Sequence, residues 1–328
     1  MIIIGIDIGG TKCAVSRLNA AGQVEETHRF PTPPRDAALS RLRECVASLA
    51  PIEDPLFGIS CGGPLDARRG VILSPPNLPG WDYVEITKFF TDHFGGRAVL
   101  MNDANASALA EWRFGAGRGS RHMLFLTAGT GMGGGFVLDG RLYEGATGDA
   151  GEVGHIRLTP QGPVGFNKAG SFEGYCSGSG LVRLAEIMAT AHPGGPPAWY
   201  KAGAVSAKTI ADAAATGEPL SCRIMQESGR RFGEGLAILI DVLNPEVIVI
   251  GGIFPRCGSL LRPAMTEALE REALPHALAA CRIVPAELGE QIGSYAAIAA
   301  ALHEAPRHDS NNPTRRSRNQ ERGEMTDV

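Results

Sequence analysis

Long apolar runs, a basic stripe and closely spaced cysteine pairs are all missing from this sequence of 328 residues. No stretch approaches the roughly 18–20 apolar residues of a membrane span, and the apolar N-terminus MIIIGIDIGG is too short and lacks the basic lead of a signal peptide. The net charge is −4 without a basic cluster, which argues against a nucleic-acid or membrane surface. Seven cysteines without CxxC spacing favour free thiols over disulfides. These absences predict a soluble, cytoplasmic protein.

The order of apolar runs and turns indicates an α/β protein with two similar lobes. A strand at Ile2–Ile8 is followed closely by strands at Cys13–Leu18 and Val24–Phe30, an antiparallel meander unlike the strand–helix start of a dinucleotide-binding fold. Strand, glycine turn and strand return in the same order near 122–158. The predicted units are a first lobe (1–120), a second lobe (121–303, whose last helix, Tyr295–His303, can pack back on the first lobe) and a disordered tail (304–328).

Two glycine turns that follow apolar strands are candidate phosphate-binding sites. In the first, Asp7 is followed by Gly9, Gly10, Thr11 and Lys12. Glycines let backbone N–H groups approach an anion closely, so Asp7 could hold Mg²⁺ while Thr11 or Lys12 reaches phosphate oxygens. A plain hairpin turn that uses the two glycines for positive φ explains the same residues.

The second candidate turn has five glycines within the seven residues 129–135. Each glycine costs roughly 0.5–1 kcal/mol relative to Ala. A simple turn needs only one or two glycines, so close approach of a phosphate is the better explanation. A third glycine turn ends the apolar strand Val247–Ile250 and could face the base or ribose, or be only a strand-to-loop turn. The candidate nucleotide contacts in these two segments are Thr130, Gly131, Gly133, Gly251 and Gly252.

Polar side chains near these turns suit a polyhydroxyl substrate. Asp103 follows the strand Ala98–Met101 and could act as a general base, although Asp is also a preferred helix N-cap residue. Glu152 and His155 place a carboxylate and an imidazole three residues apart, and Glu173 adds another carboxylate. Sugar hydroxyls need such groups because each hydroxyl donates and accepts hydrogen bonds. Ordinary surface charge is the alternative for each of these three side chains.

Together the motifs resemble the ROK family (repressor, open reading frame, kinase), which includes proteins similar to bacterial glucokinases and N-acylmannosamine kinases. The resemblance runs from about Ile2 to Leu302. The resemblance is specific because several motifs occur in the same order and at the same spacing. The motifs are DIGGTK at 7–12, SPPNLPGW at 74–81, NDANASALAEW at 102–112, GTGMGGG at 129–135, GDAGEVGHI at 148–156 and FGEGLAILIDVLNPEVIVIGG at 232–252.

The resemblance implies an α/β, actin-like (RNase H-like) ATPase fold of two lobes with the active site in the central cleft. It implies an ATP-dependent sugar kinase, with glucose as first choice, Mg²⁺ bound with ATP, the 6-phosphate as product and a homodimeric assembly. Asp103 would be the catalytic base and also a cap, with a pKa lowered by the helix N-terminus. The glycine turns would hold Mg-ATP. The residues implied to hold the sugar are Asn77, Asn102, Glu152, His155 and Glu173.

One segment departs from the family pattern. Many members bind structural zinc through the histidine that corresponds to His155 and a CxCGxxGC cluster, but the three cysteine positions here hold Val164, Phe166 and Ser171. A structural zinc site needs four ligands, mostly thiolate or imidazole. We therefore predict no zinc, with Val164, Phe166 and Phe172 packing the loop instead. His155 then needs another partner to fix its ring.

Two other functional classes fit parts of the sequence. The family includes sugar-sensing repressors, but these carry an N-terminal helix-turn-helix domain, and a first strand at Ile2 leaves no room for one. The basic residues of the tail are interleaved with acids and do not replace it. A sugar-binding protein that has lost catalysis is also possible in principle, although Asp7, Asp103 and the glycine turns are all present.

Overall fold

The apolar run near the N-terminus forms the central strand of the first of two five-stranded sheets. The computed structural model describes residues 2–50 and 52–305. The first sheet has the order β3-β2-β1-β4-β7, in which β1 pairs antiparallel with β2 and parallel with β4. The strands of this half are β1 (Ile2–Ile8), β2 (Lys12–Leu18), β3 (Val24–Pro31), β4 (Pro55–Cys61), β5 (Leu65–Asp66), β6 (Val71–Ile72) and β7 (Arg97–Asn102).

The second sheet repeats the connectivity of the first. Its order is β10-β9-β8-β13-β14, again an antiparallel meander followed by parallel strands. The repetition confirms the two similar α/β halves that the order of elements predicted. The strands of this half are β8 (Met123–Ala128), β9 (Met132–Leu138), β10 (Arg141–Tyr143), β11 (Val164–Gly165), β12 (Lys168–Ala169), β13 (Val247–Gly252) and β14 (Arg282–Pro285).

Helices cover the faces of both sheets and fill the space between them. The helices are α1 (Arg35–Ala47), α2 (Ile86–Phe94), α3 (Asp103–Phe114), α4 (Phe172–Cys176), α5 (Gly178–Thr190), α6 (Ala207–Ala215), α7 (Pro219–Leu243), α8 (Phe254–Glu272), α9 (Pro275–Ala280) and α10 (Ile292–Glu304). On α7, Gly229 and Gly233 lie directly against the carbonyl oxygens of Leu261 and Met265, so the absence of side chains lets α7 and α8 approach closely.

The last helix packs on the first sheet, although it follows the second one in sequence. A side chain at Gly58 of β4 would collide with the backbone of Ala297 on α10. Alanines of α10 also join Leu109 and Ala110 of α3 in a small-residue core next to Met101. The predicted division at residue 120 falls between α3 and β8. Helix α3 contacts strands of both sheets, whereas α10 packs on α3 and on the strands of the first sheet.

The glycine cluster at 129–135 is organised differently from the prediction. We predicted one glycine turn over 129–135, but β9 already begins at Met132. A Cβ at Gly135 would lie 2.6 Å from the Cβ of Ala108, and one at Gly134 only 3.1 Å from the carbonyl oxygen of Gly151. Close packing against α3 and the 151 loop accounts for these two glycines without a phosphate.

The C-terminal prediction can be compared with the structure only at its start. Glu304 is the last residue of α10 and does not belong to a tail. Residues 306–328, which carry the rest of the predicted disordered tail, lie outside the described residues. Among the helices of the described ranges, none has the length and apolar character needed to cross a membrane.

Candidate functional site

Asn102 and Asp103 are adjacent at the start of α3, but only Asn102 caps the helix. The Oδ1 atom of Asn102 accepts hydrogen bonds from the backbone nitrogens of Ala104 (2.9 Å) and Asn105 (3.3 Å), so Asn102 is the N-cap. The expectation that Asp103 caps the helix was therefore wrong. Because the Oδ1 atom of Asn102 already accepts two hydrogen bonds, its amide NH₂ group, which lies near Gly63, is the part of this candidate side chain that can donate.

The Asp103 carboxylate lies at the surface of the cleft and is accessible to solvent. Its Oδ1 atom accepts from the backbone nitrogen of Ala104 (2.9 Å), while its Oδ2 atom would lie 3.6 Å from a Cβ at Gly62. Desolvation by the surrounding protein raises its pKa, and backbone hydrogen bonds only partly oppose this. We had expected the helix N-terminus to lower this pKa, but desolvation outweighs it.

Asp7 lies near the end of β1, within electrostatic reach of Asp103. Desolvation raises the pKa of Asp7 to about 7, and the negative charge of Asp103 adds to the shift, while Lys12 and Arg29 oppose it. A side chain at Gly293, in the first turn of α10, would collide with the Asp7 carboxylate. The two carboxylates concentrate negative charge at one place, which a divalent cation would balance.

The turn after Asp7 is a hairpin connection that also serves as a packing surface. Neither Gly9 nor Gly10 has a φ in the left-handed region, so positive φ does not explain these glycines. The Thr32 hydroxyl donates to the carbonyl of Gly9 (2.6 Å). A Cβ at Gly10 would lie 2.5 Å from the carbonyl oxygen of Asn77. Gly10 therefore lets the loop that carries Asn77 approach the turn, and the Asn77 side chain itself is exposed.

Three hydrogen bonds to two successive helices hold the turn at 129–132. The backbone nitrogen of Gly178 donates to the carbonyl of Gly129 (2.7 Å), and the hydroxyl of Ser179 donates to the carbonyl of Thr130 (2.7 Å). The Oε2 atom of Glu173 accepts from the backbone nitrogen of Met132 (2.9 Å). All three contacts come from α4 and the start of α5. The nucleotide candidates Thr130 and Gly131 lie in this turn, while Gly133 lies in β9.

The glycines at the end of β13 border the same turn. Gly252 has a φ of 71°, and a side chain there would collide with the carbonyl group of Ala128 and the backbone nitrogen of Gly129. At Gly251 a Cβ would lie 3.3 Å from the ring of Phe125. These two glycines thus let β13 end directly beside the 129–132 turn. Both are explained by close packing, and Gly252 also by its backbone conformation.

Glu152 lies within electrostatic reach of other candidate site residues. Its carboxylate is exposed, and desolvation is the main cause of its raised pKa. The negative charges of Asp149, Asp103 and Glu173 raise the pKa further, while His155 lowers it. Such mutual effects require these groups to lie near one another. Glu152 therefore lies within electrostatic reach of His155, Glu173 and Asp103, and their role as one sugar site stays a prediction.

Three residues with a place in this site were missed. Gly62 and Gly63 follow β4 and border Asp103 and Asn102, and the signal was available, because they form another glycine pair after an apolar strand. Ser179 clamps the 129–132 turn through the carbonyl of Thr130. No local sequence signal distinguishes Ser179 from an ordinary serine in the first turn of a helix.

The segment that replaces the zinc cysteines is only partly packed. Phe172 is fully buried, as predicted, but Val164 and Phe166 are 44% and 63% exposed, so the prediction that they pack the loop was wrong. The ring of Phe166 lies instead against the ring of His155, with 5.1 Å between centroids. Val164, Phe166 and Ser171 offer no thiolate, and no group of three or more His, Cys, Asp or Glu side chains within the described ranges could hold a metal ion. The residues present do not fit a structural zinc.

Comparison with known proteins gives a consistent match over nearly the whole chain. The family profile described as "ROK family" matches residues 3–304. A glucokinase of Streptomyces coelicolor is 32% identical over 82% of this chain and 87% of its own length. An N-acetylmannosamine kinase of Citrobacter koseri is 32% identical over 77% and 83%. The solved structure of a ROK family glucokinase from Streptomyces griseus, in complex with glucose and AMPPNP, superposes with a TM-score of 0.72 at 32% identity, covering 92% of this chain and 98% of that one.

Proposed function

The chain belongs to the ROK family, and on that premise we propose its substrate, its catalytic base and the hydroxyl that it phosphorylates. It is a sugar kinase with an actin-like ATPase fold, and ATP is the phosphoryl donor. The proposed reaction transfers the γ-phosphoryl group of ATP to the 6-hydroxyl of a hexose or N-acetylhexosamine, with glucose as first choice. Relatives named glucokinase and N-acetylmannosamine kinase support this range of substrates.

The observation that carries the proposal is the position of Asp103. One carboxylate oxygen is held by the backbone nitrogen of Ala104, and the other faces Gly62 in the accessible cleft. A base in this position takes the proton of the sugar hydroxyl as that oxygen attacks the γ-phosphorus, and the bond to the β-phosphate oxygen breaks. The raised pKa makes Asp103 a stronger base than an ordinary aspartate.

The remaining site residues position the two substrates. Glu152, His155 and Glu173, together with the amide groups of Asn77 and Asn102, would bind sugar hydroxyls. Gly9, Gly10, Thr11 and Lys12 would meet the phosphates on one side, and the 129–132 turn, with Gly133, on the other. Gly251 and Gly252 would lie towards the base or ribose. Mg²⁺ would be held beside Asp7, where it would neutralise charge that develops on the phosphoryl oxygens.

The direct test is ADP release with a panel of hexoses and N-acetylhexosamines, followed by NMR of the product to locate the phosphorus–proton coupling. We expect sugar-dependent ADP release and a phosphate on carbon 6. Sugar binding without turnover for any sugar would contradict the proposal and favour the alternative, a sugar sensor or ROK-type regulator without a DNA-binding domain.

We also propose that the protein is a homodimer. An apolar strip on the surface of α7 supports an interface, because Ile238 and Val242 lie one turn apart and are 42% and 73% exposed. Leu274, close after α8, is also exposed. Light scattering of the purified protein would test this, since a monomeric mass at micromolar concentration contradicts it.

A further inference from the structure

A small β-hairpin joins the two segments that carry the candidate sugar-binding residues. It consists of β11 and β12, residues 164–169, and lies between the short 3₁₀ helix Val153–His155 and α4. On the α4 side, a Cβ at Gly165 would lie 2.7 Å from the Ser171 hydroxyl and 2.9 Å from the Cβ of Glu173. The hairpin backbone therefore rests directly on the turn of helix that holds Glu173.

On its other side, the same hairpin holds His155 at two points. The ammonium group of Lys168 donates to the backbone carbonyl of His155 (2.8 Å). The ring of Phe166 lies edge-on to the imidazole, with 5.1 Å between centroids and 70° between planes. Hydrogen bonding thus fixes the backbone at His155, while a ring contact restricts its side chain.

Neither turn propensity nor burial explains a phenylalanine at position 166. Phe166 and Asn167 form the two-residue connection of the hairpin and have φ values of 39° and 63°. Such connections favour Asn or Gly, and a bulky aromatic residue at positive φ is strained. The ring gains little from burial, because the residue is 63% exposed. Among the described contacts, the one with the His155 ring offsets this strain.

We propose that the hairpin 164–169 is a metal-free brace that sets the spacing between His155 and Glu173. Phe166 is the positioning residue for the imidazole, Lys168 holds the backbone behind it, and Gly165 seats the brace on α4. Val164, Phe166 and Ser171 in and beside this hairpin offer no thiolate, so the brace depends on packing and hydrogen bonds instead of a metal cross-link. This inference rests on the proposed function only in taking His155 and Glu173 as sugar-binding residues.

The substitution Phe166→Asn separates positioning from folding. Asn suits the turn, so the melting temperature should stay unchanged or rise, while the ring contact with His155 is lost. We expect the Kd for the sugar, measured by calorimetry without nucleotide, to rise about three- to tenfold, the size of a lost ring contact. The KM for ATP should not change. The variant Phe166→Tyr, which keeps an aromatic ring at this position, should bind the sugar with the wild-type Kd. Val164→Thr, which removes exposed apolar surface from the same hairpin, serves as the control.

Metal analysis and a chelator provide an independent arm. Protein dialysed against a chelator and returned to buffer should bind the sugar with unchanged Kd and contain far less than one zinc per chain. One zinc per chain, or Phe166→Asn with wild-type sugar affinity, would overturn the brace. Sugar binding that responds to Phe166→Asn without any phosphorylation would overturn the proposed function alone. Binding of none of the sugars would overturn both.

Discussion

The Oε2 atom of Glu173 lies 2.9 Å from the backbone nitrogen of Met132, so one carboxylate joins two segments predicted to bind different substrates. Glu173 belongs to the candidate sugar site, and Met132 ends the glycine turn of the candidate nucleotide site. The same turn is held by Gly178 and Ser179 at the start of the next helix. The candidate sugar and nucleotide contacts therefore share one support, α4 with the start of α5.

Substitutions at Glu173 should consequently affect both substrates. Glu173→Ala leaves the Met132 N–H without its acceptor, a loss of about 1–3 kcal/mol when such a group is shielded from water. We expect the KM for ATP and the KM for the sugar both to rise, each about tenfold or more. In Glu173→Gln an amide oxygen can still accept from Met132, so mainly the sugar KM should rise.

Glu152→Gln is the matched control for this pair, because no hydrogen bond links Glu152 to the turn among the described contacts. It should raise the sugar KM and leave the ATP KM near its wild-type value. Initial-rate kinetics with each substrate varied in turn give both constants. An unchanged ATP KM in Glu173→Ala would show that the turn does not depend on this carboxylate.

Asp103→Asn should abolish most of the turnover while both substrates still bind. The amide keeps the size and the hydrogen bond to Ala104 but cannot accept the hydroxyl proton, so kcat should fall by a factor of 10² or more. Coupled ADP release measures this. Asp92→Asn, which removes an exposed i,i+4 pair with Lys88 on α2, should leave kcat unchanged. An Asp103→Asn enzyme with more than a tenth of wild-type kcat would exclude Asp103 as the base.

Asp7 should make the stability of the nucleotide-free protein depend on pH. Its folded-state pKa is about 7 and its ordinary value is 3.8, so between these values the folded protein binds more protons than the unfolded chain. The free energy of unfolding therefore falls as pH rises through this window. We expect Asp7→Asn to melt a few degrees above wild type at pH 8, and no higher than wild type at pH 4.

Other charged groups near Asp7 also contribute to the pH dependence of stability. Asp103 opposes ionisation of Asp7, while Lys12 and Arg29 favour it, so part of the pH dependence should remain in Asp7→Asn through Asp103. The melting temperature of Asp92→Asn should equal that of wild type at every pH. If the melting temperatures of wild type and Asp7→Asn change in parallel between pH 4 and 8, the raised pKa of Asp7 is contradicted.

The glycines of the 129–135 cluster should separate into two groups. A Cβ at Gly135 would lie 2.6 Å from Ala108 Cβ, so Gly135→Ala should cost about 1–3 kcal/mol of stability by overpacking. A Cβ at Gly133 would lie at ordinary contact distances, 3.6 Å from Ala104 and 3.8 Å from Thr127. Gly133→Ala should therefore fold normally but raise the ATP KM if a phosphate lies against it. An unchanged ATP KM would remove Gly133 from the nucleotide site.

These glycines show what the sequence could and could not predict. Apolar runs such as Ile2–Ile8 identify their strands because burial on both faces of a central strand leaves a continuous hydrophobic signal. From the local pattern we predicted a phosphate-binding turn at 129–135. At positions 134 and 135, however, other segments pack against β9 and leave little room for a side chain. Which segment packs there depends on tertiary contacts that no local pattern contains.

The start of α3 shows the same limit on a smaller scale. Asn102 and Asp103 are adjacent, and both residue types are good N-caps, so the sequence alone could not place the helix boundary between them. The structure makes Asn102 the cap and leaves Asp103 in the first turn. The order of motifs predicted both residues to belong to the site, while which of them caps the helix depends on a shift of one residue.

Gly293 provides the most specific test of how the last helix supports the site. A Gly→Ala change within a helix usually stabilises a protein by about 0.5–1 kcal/mol. At Gly293, however, the new methyl group would collide with the Asp7 carboxylate, which must then turn away. We expect Gly293→Ala to raise the KM for Mg-ATP about tenfold, the size of one lost charge-assisted contact. Its sugar affinity, measured without nucleotide, should not change.

Gly258→Ala on α8 is the matched control, since the atoms nearest to its Cβ would be those of the Phe254 ring, at an ordinary contact distance of 3.7 Å. This substitution should add stability without changing either KM. The double variant with Asp7→Asn decides the mechanism. If Gly293 acts through the Asp7 carboxylate, Gly293→Ala should raise the KM of the Asp7→Asn enzyme far less than that of wild type, because the interaction it disturbs is already lost. Full additivity of the two substitutions would mean that Gly293 acts on α10 itself, and would contradict a link between the last helix and the Asp7 carboxylate.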